Sequence, residues 1–283
     1  GWRAVADRVH EEGGTLFMQI MHGGRTSHPD LIDGATPEAP SAFDWGGTVR
    51  GFAGKMDAPV PRELKKEELP RIVDEFRQGA RRAIDAGVDG VEIHNANGYL
   101  LHEFMAASSN KREDEFGGSP ENRWRLPEMV IRAVVEEIGA DRVGVRFSPA
   151  HNVQGVIEDD QEDMLATYGG LLDALAPLNL AYVSLLHGEP ESELIAQLAN
   201  RARANGVTKV LMNDGFPTVT SKEDAQREIE LDYVDAAVVG RQLIANPDLA
   251  RRWREGFELN EPDQDTFYLG GERGYIDYEY AAD

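Results

Sequence analysis

Three polar side chains, His94, Asn97 and Tyr99, follow closely on the run Gly90-Val91-Glu92-Ile93. An imidazole, a carboxamide and a phenol can between them donate hydrogen bonds and hold a titratable proton. A strand that follows a helix and ends in such a cluster is what a parallel α/β protein presents as an active site. The plainer reading is that His94 and Asn97 satisfy backbone groups of the loop and cap what comes next.

A second constellation is spread over other strand ends. Gln19 stands near the end of the short apolar run 15–20, and Arg146 lies inside the run Arg142–Phe147. An arginine there is expensive to bury without an anionic partner. Two later runs stop at Asn213-Asp214-Gly215 and at Gly240-Arg241. Glycine lets backbone N–H groups approach an anion, and arginine adds a fork of donors. In a barrel of alternating strands and helices, the loops after the last two strands commonly hold a phosphate. The set suggests a phosphorylated cofactor across the barrel mouth, with Gln19 and Arg146 contacting its polar ring. Asp214 is the discordant member, because a carboxylate beside a phosphate is unfavourable.

The hydrophobic pattern supplies the frame these residues need. Helices are expected over 2–12, 63–86, 120–138, 160–175, 191–204 and 222–228, and again from Leu243. Short apolar runs predict six strands, near residues 15–20, 90–94, 142–147, 180–185, 209–212 and 235–239. Ser119 is the expected cap of the 120–138 helix, and residues 100–105 are expected to continue the loop beyond Tyr99. The alternation implies a parallel sheet with helices on its faces. Short strands with varied loops fit a (β/α)8 barrel better than a doubly wound sheet, and no glycine-rich dinucleotide fingerprint follows any strand. Residues 21–61 carry His22, Arg25 and His28 and lack periodicity, as a lid or binding loop would.

The 283 residues suffice for one large domain. A formal net charge of −22 argues against nucleic acid and anionic membrane as partners, since both are polyanions. Cysteine is absent, which excludes disulfides, thiolate metal sites and cysteine nucleophiles. There is no run of 18 apolar residues and no apolar leader at Gly1-Trp2-Arg3-Ala4, so a cytoplasmic protein is expected. Arginine far outnumbers lysine, which fits either salt adaptation or a GC-rich genome.

At this point the chain resembles the Old Yellow Enzyme family of FMN-dependent ene-reductases. The likeness is carried by Gln19-Ile20-Met21-His22-Gly23-Gly24-Arg25, by Gly90 to Tyr99, and by Ser109 to Arg123 with its Gly-Gly-Ser-Pro-Glu-Asn-Arg run. Val143 to Pro149, Gly240-Arg241 and Thr266-Phe267-Tyr268 continue it to the end of the chain. The resemblance implies that Gln19 and Arg146 contact the flavin ring, and that Gly215, Gly240 and Arg241 hold the FMN phosphate. It implies that His94 and Asn97 bind the substrate oxygen, that Tyr99 is the proton donor, and that Phe267 and Tyr268 are an aromatic pair near flavin and substrate. NADPH or NADH would be the hydride donor and an α,β-unsaturated carbonyl or nitro compound the acceptor. The two donors would act as an oxyanion hole does, with Tyr99 as general acid.

Met21 stands where relatives often have tryptophan, and His102-Glu103 replaces a more usual Asp-Gln. Six strands against the eight of a full barrel imply about two further strands before Trp2, so residues 1–283 are read as one N-terminally incomplete FMN-binding barrel domain. Such a barrel would have two open sheet edges and lose one wall of its flavin site. An inactive barrel of the same family and a metal-dependent (β/α)8 hydrolase are the competing readings, and no His-Glu-x-x-His spacing supports the latter. The partner expected is a small molecule, with self-association left open.

Overall fold

A computed structural model describes residues 1–215, 219–267 and 271–282. Its main element is a six-stranded parallel sheet whose spatial order is its chain order. The strands are β1 (Phe17–Ile20), β2 (Gly90–His94), β3 (Val143–Phe147), β4 (Tyr182–Leu186), β5 (Lys209–Asn213) and β6 (Ala236–Ala237). The helices are α1 (Trp2–Glu11), α2 (Leu69–Asp85), α3 (Leu100–Met105), α4 (Arg125–Ile138), α5 (Gln161–Leu175), α6 (Glu193–Arg203), α7 (Lys222–Ile229), α8 (Arg241–Ala245) and α9 (Leu249–Glu255). No helix among the described residues is long and apolar enough to cross a membrane.

Strand alternation sorts each strand into two faces. Val91, Ile93, Val143, Val145, Phe147, Val183, Leu185, Val210 and Met212 are buried and pack with helical residues such as Ile72, Phe76, Val130 and Leu171. Helix α2 shows how the sequence makes that face. Pro70 stands in its first turn, where a missing N–H is not needed, and Ile72, Phe76, Ala80 and Ala83 recur along one buried side. Helix α5 starts where the Asp160 carboxylate accepts from the N–H groups of Glu162 and Asp163, a cap worth about 1 kcal/mol.

The alternate positions line the other face in register. Gln19, Glu92, Gly144, Tyr182 and Lys209 form one row across the sheet. His94, Arg146, Ser184, Leu211 and Ala236 form the next, toward the C-terminal ends. The Phe17 and Tyr182 rings meet at 5.5 Å in the lower part of this face. Gly144 has no room for a side chain, since a Cβ there would lie 2.2 Å from the Tyr182 ring. Aromatic filler below and polar groups above make a floor and a mouth.

Several expectations need correction. Residues 100–105 form helix α3, not loop, and Leu100, Leu101, Phe104 and Met105 are all buried in it. The segment 21–61 is not structureless: Thr48–Gly51 and Gly54–Asp57 pair as an antiparallel hairpin, and Glu38–Ala39 pairs with Arg62–Glu63. The helix expected over 120–138 breaks at Trp124 into the single turn Pro120–Arg123 and α4, and Ser119 precedes it without making a side-chain cap bond. Strand β6 shrinks to two residues, paired on one side with β5, while β1 pairs only with β2 among the described residues.

Candidate functional site

Strand β2 delivers His94 to the mouth. Its side chain is buried, and its Nδ1 meets no hydrogen-bond partner. Burial, followed by the charges of Arg146 and His102, pushes its pKa down to about 3. The ring is therefore neutral near pH 7 and carries one N–H. The Tyr99 ring lies 5.1 Å from it, centroid to centroid, tilted by 52°.

Between them the backbone turns through the left-handed region at Asn97 (φ 57°) and Gly98 (φ 75°). Asparagine tolerates that region better than other non-glycine residues, and here its backbone is also held from outside. Ser148 Oγ accepts from the Asn97 N–H at 2.7 Å, and Gln154 Nε2 donates to the Asn97 carbonyl at 2.6 Å. His102 Nδ1 accepts from the Gly98 N–H at 2.9 Å. His102 Nε2 meets the Tyr168 hydroxyl at 2.9 Å and Glu158 at 3.2 Å. Asn97 Oδ1 is buried and unpartnered. Ser148, Gln154 and His102 were missed as site residues, because no local pattern announces a side chain that acts on another segment's backbone.

The second constellation converges except for Gln19, which lines a different cavity with Ile20, Met21 and His22. A cavity of about 210 Å³ is lined by Arg146, Asn213, Gly215, Thr220, Gly240 and Arg241. Arg146 reaches Ser184 Oγ and Asn213 Oδ1 only at 3.5 Å each, too long to use its donors well. Burial lowers its pKa, and the charge of Glu92, one row below on β2, opposes that. Gly215 has φ 97°, a conformation glycine adopts freely. Arg241 opens α8 directly after Gly240. Asp214 is turned to the Thr220 hydroxyl, which donates to it at 2.9 Å. Gln19 lies on β1 and donates to Glu92 at 2.5 Å. Underused arginine donors beside glycine backbone fit a polar ring carrying one terminal phosphate, as in FMN.

Phe267 follows the 3-10 turn Gln264–Thr266, and its carbonyl accepts from the Tyr275 hydroxyl. Tyr268 lies outside the described residues. Among the described residues no group of three or more His, Cys, Asp or Glu is placed to hold a metal ion, which leaves the hydrolase reading without a ligand set.

Residues 1–260 match the NADH:flavin oxidoreductase / NADH oxidase family. Flavin oxidoreductase hxnT of Emericella nidulans is 38% identical over 303 aligned residues, covering 99% of this chain and 76% of the relative. A probable flavin mononucleotide-dependent alkene reductase of Leishmania infantum is 39% identical, with the same coverage of 99% and 76%. Morphinone reductase in complex with tetrahydroNAD superposes with a TM-score of 0.89 at 37% identity, over 100% of this chain and 77% of that one. The old yellow enzyme homologue from Zymomonas mobilis gives 0.88 at 34%, over 98% and 77%. The shared architecture is the (β/α)8 barrel, of which this chain forms six consecutive strands. With its barrel wall, its polar mouth and these relatives, the chain belongs to the NADH:flavin oxidoreductase / NADH oxidase family, the Old Yellow Enzymes, and is an FMN-dependent oxidoreductase that uses NAD(P)H.

Proposed function

We propose that this oxidoreductase reduces activated alkenes, namely α,β-unsaturated carbonyl or nitro compounds, with NADPH or NADH as the source of reducing equivalents. One observation carries the reading: His94 Nδ1 and Asn97 Oδ1 are buried at the mouth without partners. Buried polar atoms are rarely left so unless a ligand completes them. The name of the Leishmania infantum relative, an alkene reductase, points the same way.

Bound FMN supplies the two-electron transfer between nicotinamide and alkene. Gln19 and Arg146 hold its polar ring edge, and Gly215, Gly240 and Arg241 hold its phosphate. Phe267 is assigned to the aromatic edge together with Tyr268. His94 and Asn97 grip the substrate's carbonyl or nitro oxygen, where negative charge grows. The Asn97 carboxamide presents its N–H₂ to that oxygen after a half-turn of its terminal torsion, since its oxygen and nitrogen ends are nearly the same shape. Neutral His94 gives an N–H without placing a cation there, and losing one such donor costs about 10²–10³ in rate. Tyr99 holds a proton at its hydroxyl and delivers it to the α-carbon.

The test has two parts. Denaturation should release FMN; FAD, or a metal and no flavin, refutes the assignment. Tyr99→Phe should slow reoxidation of the reduced protein by an enone while its reduction by NADPH continues, because only the former consumes a proton at carbon. Equal loss in both half-reactions would make Tyr99 structural. Failure of the wild-type chain to oxidise NADPH with an enone would leave the inactive-barrel alternative standing.

A further inference from the structure

We propose that Gln154, braced by the buried Arg25, is a positioning residue that holds Asn97 and Tyr99 in their working geometry. The proposal rests on the roles just assigned to those two residues. The loop after β3 reaches back over the end of β2. Its Ser148 and Gln154 take the N–H and the C=O of Asn97 at 2.7 and 2.6 Å, so the backbone of that one residue is gripped on both sides. Gln154 is itself left-handed, with φ 54°. Two residues in a costly conformation are thus joined by a short hydrogen bond, and neither relaxes without disturbing the other.

The packing leaves little slack. A Cβ at Gly98 would lie 2.8 Å from Gln154 Cβ and 2.9 Å from the Val153 carbonyl oxygen. On its other side the loop meets Arg25, which is 1% exposed. The Arg25 guanidinium lies 5.3 Å from the Phe43 and Trp45 ring centroids, and its Nε and Nη1 have no partner. Its Nη2 donates to the Gln154 carbonyl at 3.2 Å, and its backbone N–H donates to Glu103 Oε1 at 2.9 Å. Its one side-chain hydrogen bond goes to Gln154, with the two ring faces and the Glu103 carboxyl as its other partners. The arrangement fits a brace that fixes Gln154, and through it the turn from which Asn97 projects and on which Tyr99 begins α3.

The experiment compares Gln154→Ala and Gln154→Glu in the full chain. The glutamate variant keeps the length of the side chain, but its carboxylate does not donate to a carbonyl. Amide hydrogen exchange is followed over residues 95–100, with and without added FMN. Both variants should speed exchange there about five- to tenfold, the effect of one lost hydrogen bond, while amides of β3 and β4 keep their protection. With FMN added, both should lower the rate of enone-driven reoxidation. Unchanged exchange over 95–100 in both variants overturns the proposal, whatever the activity. So does a Gln154→Glu protein that matches wild type while Gln154→Ala does not, because that outcome makes the contact one of packing. Faster exchange with no activity in the wild type or in Tyr99→Phe supports the clamp and instead refutes the assigned reaction.

Discussion

His94 makes stability depend on pH in a way that can be isolated. In the unfolded chain its imidazole titrates at the ordinary value of 6.5, and in the fold burial and the charges of Arg146 and His102 hold it at about 3. Between those two values the unfolded chain binds a proton that the folded chain refuses. Stability therefore falls as pH falls through this window and is unaffected by His94 above it. With those two values, His94 removes about 2 kcal/mol from the unfolding free energy on going from pH 7 to pH 5. His94→Asn keeps a hydrogen-bond donor and deletes the titration. Urea unfolding, followed by fluorescence of the four tryptophans, should show the variant losing about 2 kcal/mol less than wild type over that range. The other histidines are common to both proteins and cancel in the difference. Parallel pH profiles would show that His94 is solvated or paired, and the argument for a neutral donor would fail with it.

Glu38 gathers His22 at 3.7 Å, Arg62 and Arg71, and the attraction of His22 and then of the hydrogen-bonded Arg71 holds its pKa down to about 2. Its contribution is complete above the ordinary carboxylate value and lost as pH falls toward 2, so Glu38→Gln should cost about 1–3 kcal/mol in urea unfolding at pH 7 and progressively less below pH 4.5; an equal loss at every pH refutes the charge argument. Arg146→Met should weaken FMN binding by at least about tenfold in a fluorescence titration, with little change in the unfolding free energy of the flavin-free chain; an unaltered affinity removes Arg146 from the flavin site. Among the described residues β1 and β6 each pair on one side only, and an open strand edge invites pairing with another chain, so we expect the 283-residue chain alone to self-associate in sedimentation and to retain FMN weakly; a yellow, active monomer would refute this.

The strand faces were legible because burial imposes period two on them. Val91, Ile93, Val143 and Val145 mark the outer face, and the polar residues between them had to face something else. The closeness of His94, Asn97 and Tyr99 was legible because His94 ends such a strand and the other two follow within five residues. The need of Arg146 for an anion was also readable, but the nearness of Glu92 depends on register between neighbouring strands, which no single segment encodes. Helix α3 escaped notice because six residues are too few to establish a period, and its N-cap, Tyr99, makes no capping bond. The hairpin at 48–57 has only Val49 buried, so it lacks the apolar alternation that reveals a strand. The clamp on Asn97 was out of reach because its partners lie 51 and 57 residues further along.

The buried arginines make the case for the cofactor face independently of any motif. Arg123 spends its fork on the carbonyls of Met105 and Gly118, the Asp163 carboxylate and the Thr167 hydroxyl, all within 2.8 Å. Arg112 ties the carbonyls of Pro40 and Leu64 to Asp114, and Arg252 joins Asp248 to the carbonyls of Glu258 and Glu279. Each of these staples distant segments and leaves few donors idle, as a buried cation should. Arg25 keeps two idle nitrogens, but aromatic rings lie against its guanidinium. Arg146 is different: its contacts are long, and it lines a cavity shared with Gly215, Gly240 and Arg241. Beside Arg112, Arg123 and Arg252, whose donors are engaged, the underused fork of Arg146 at the strand ends is the one we propose to meet a ligand with acceptors of its own.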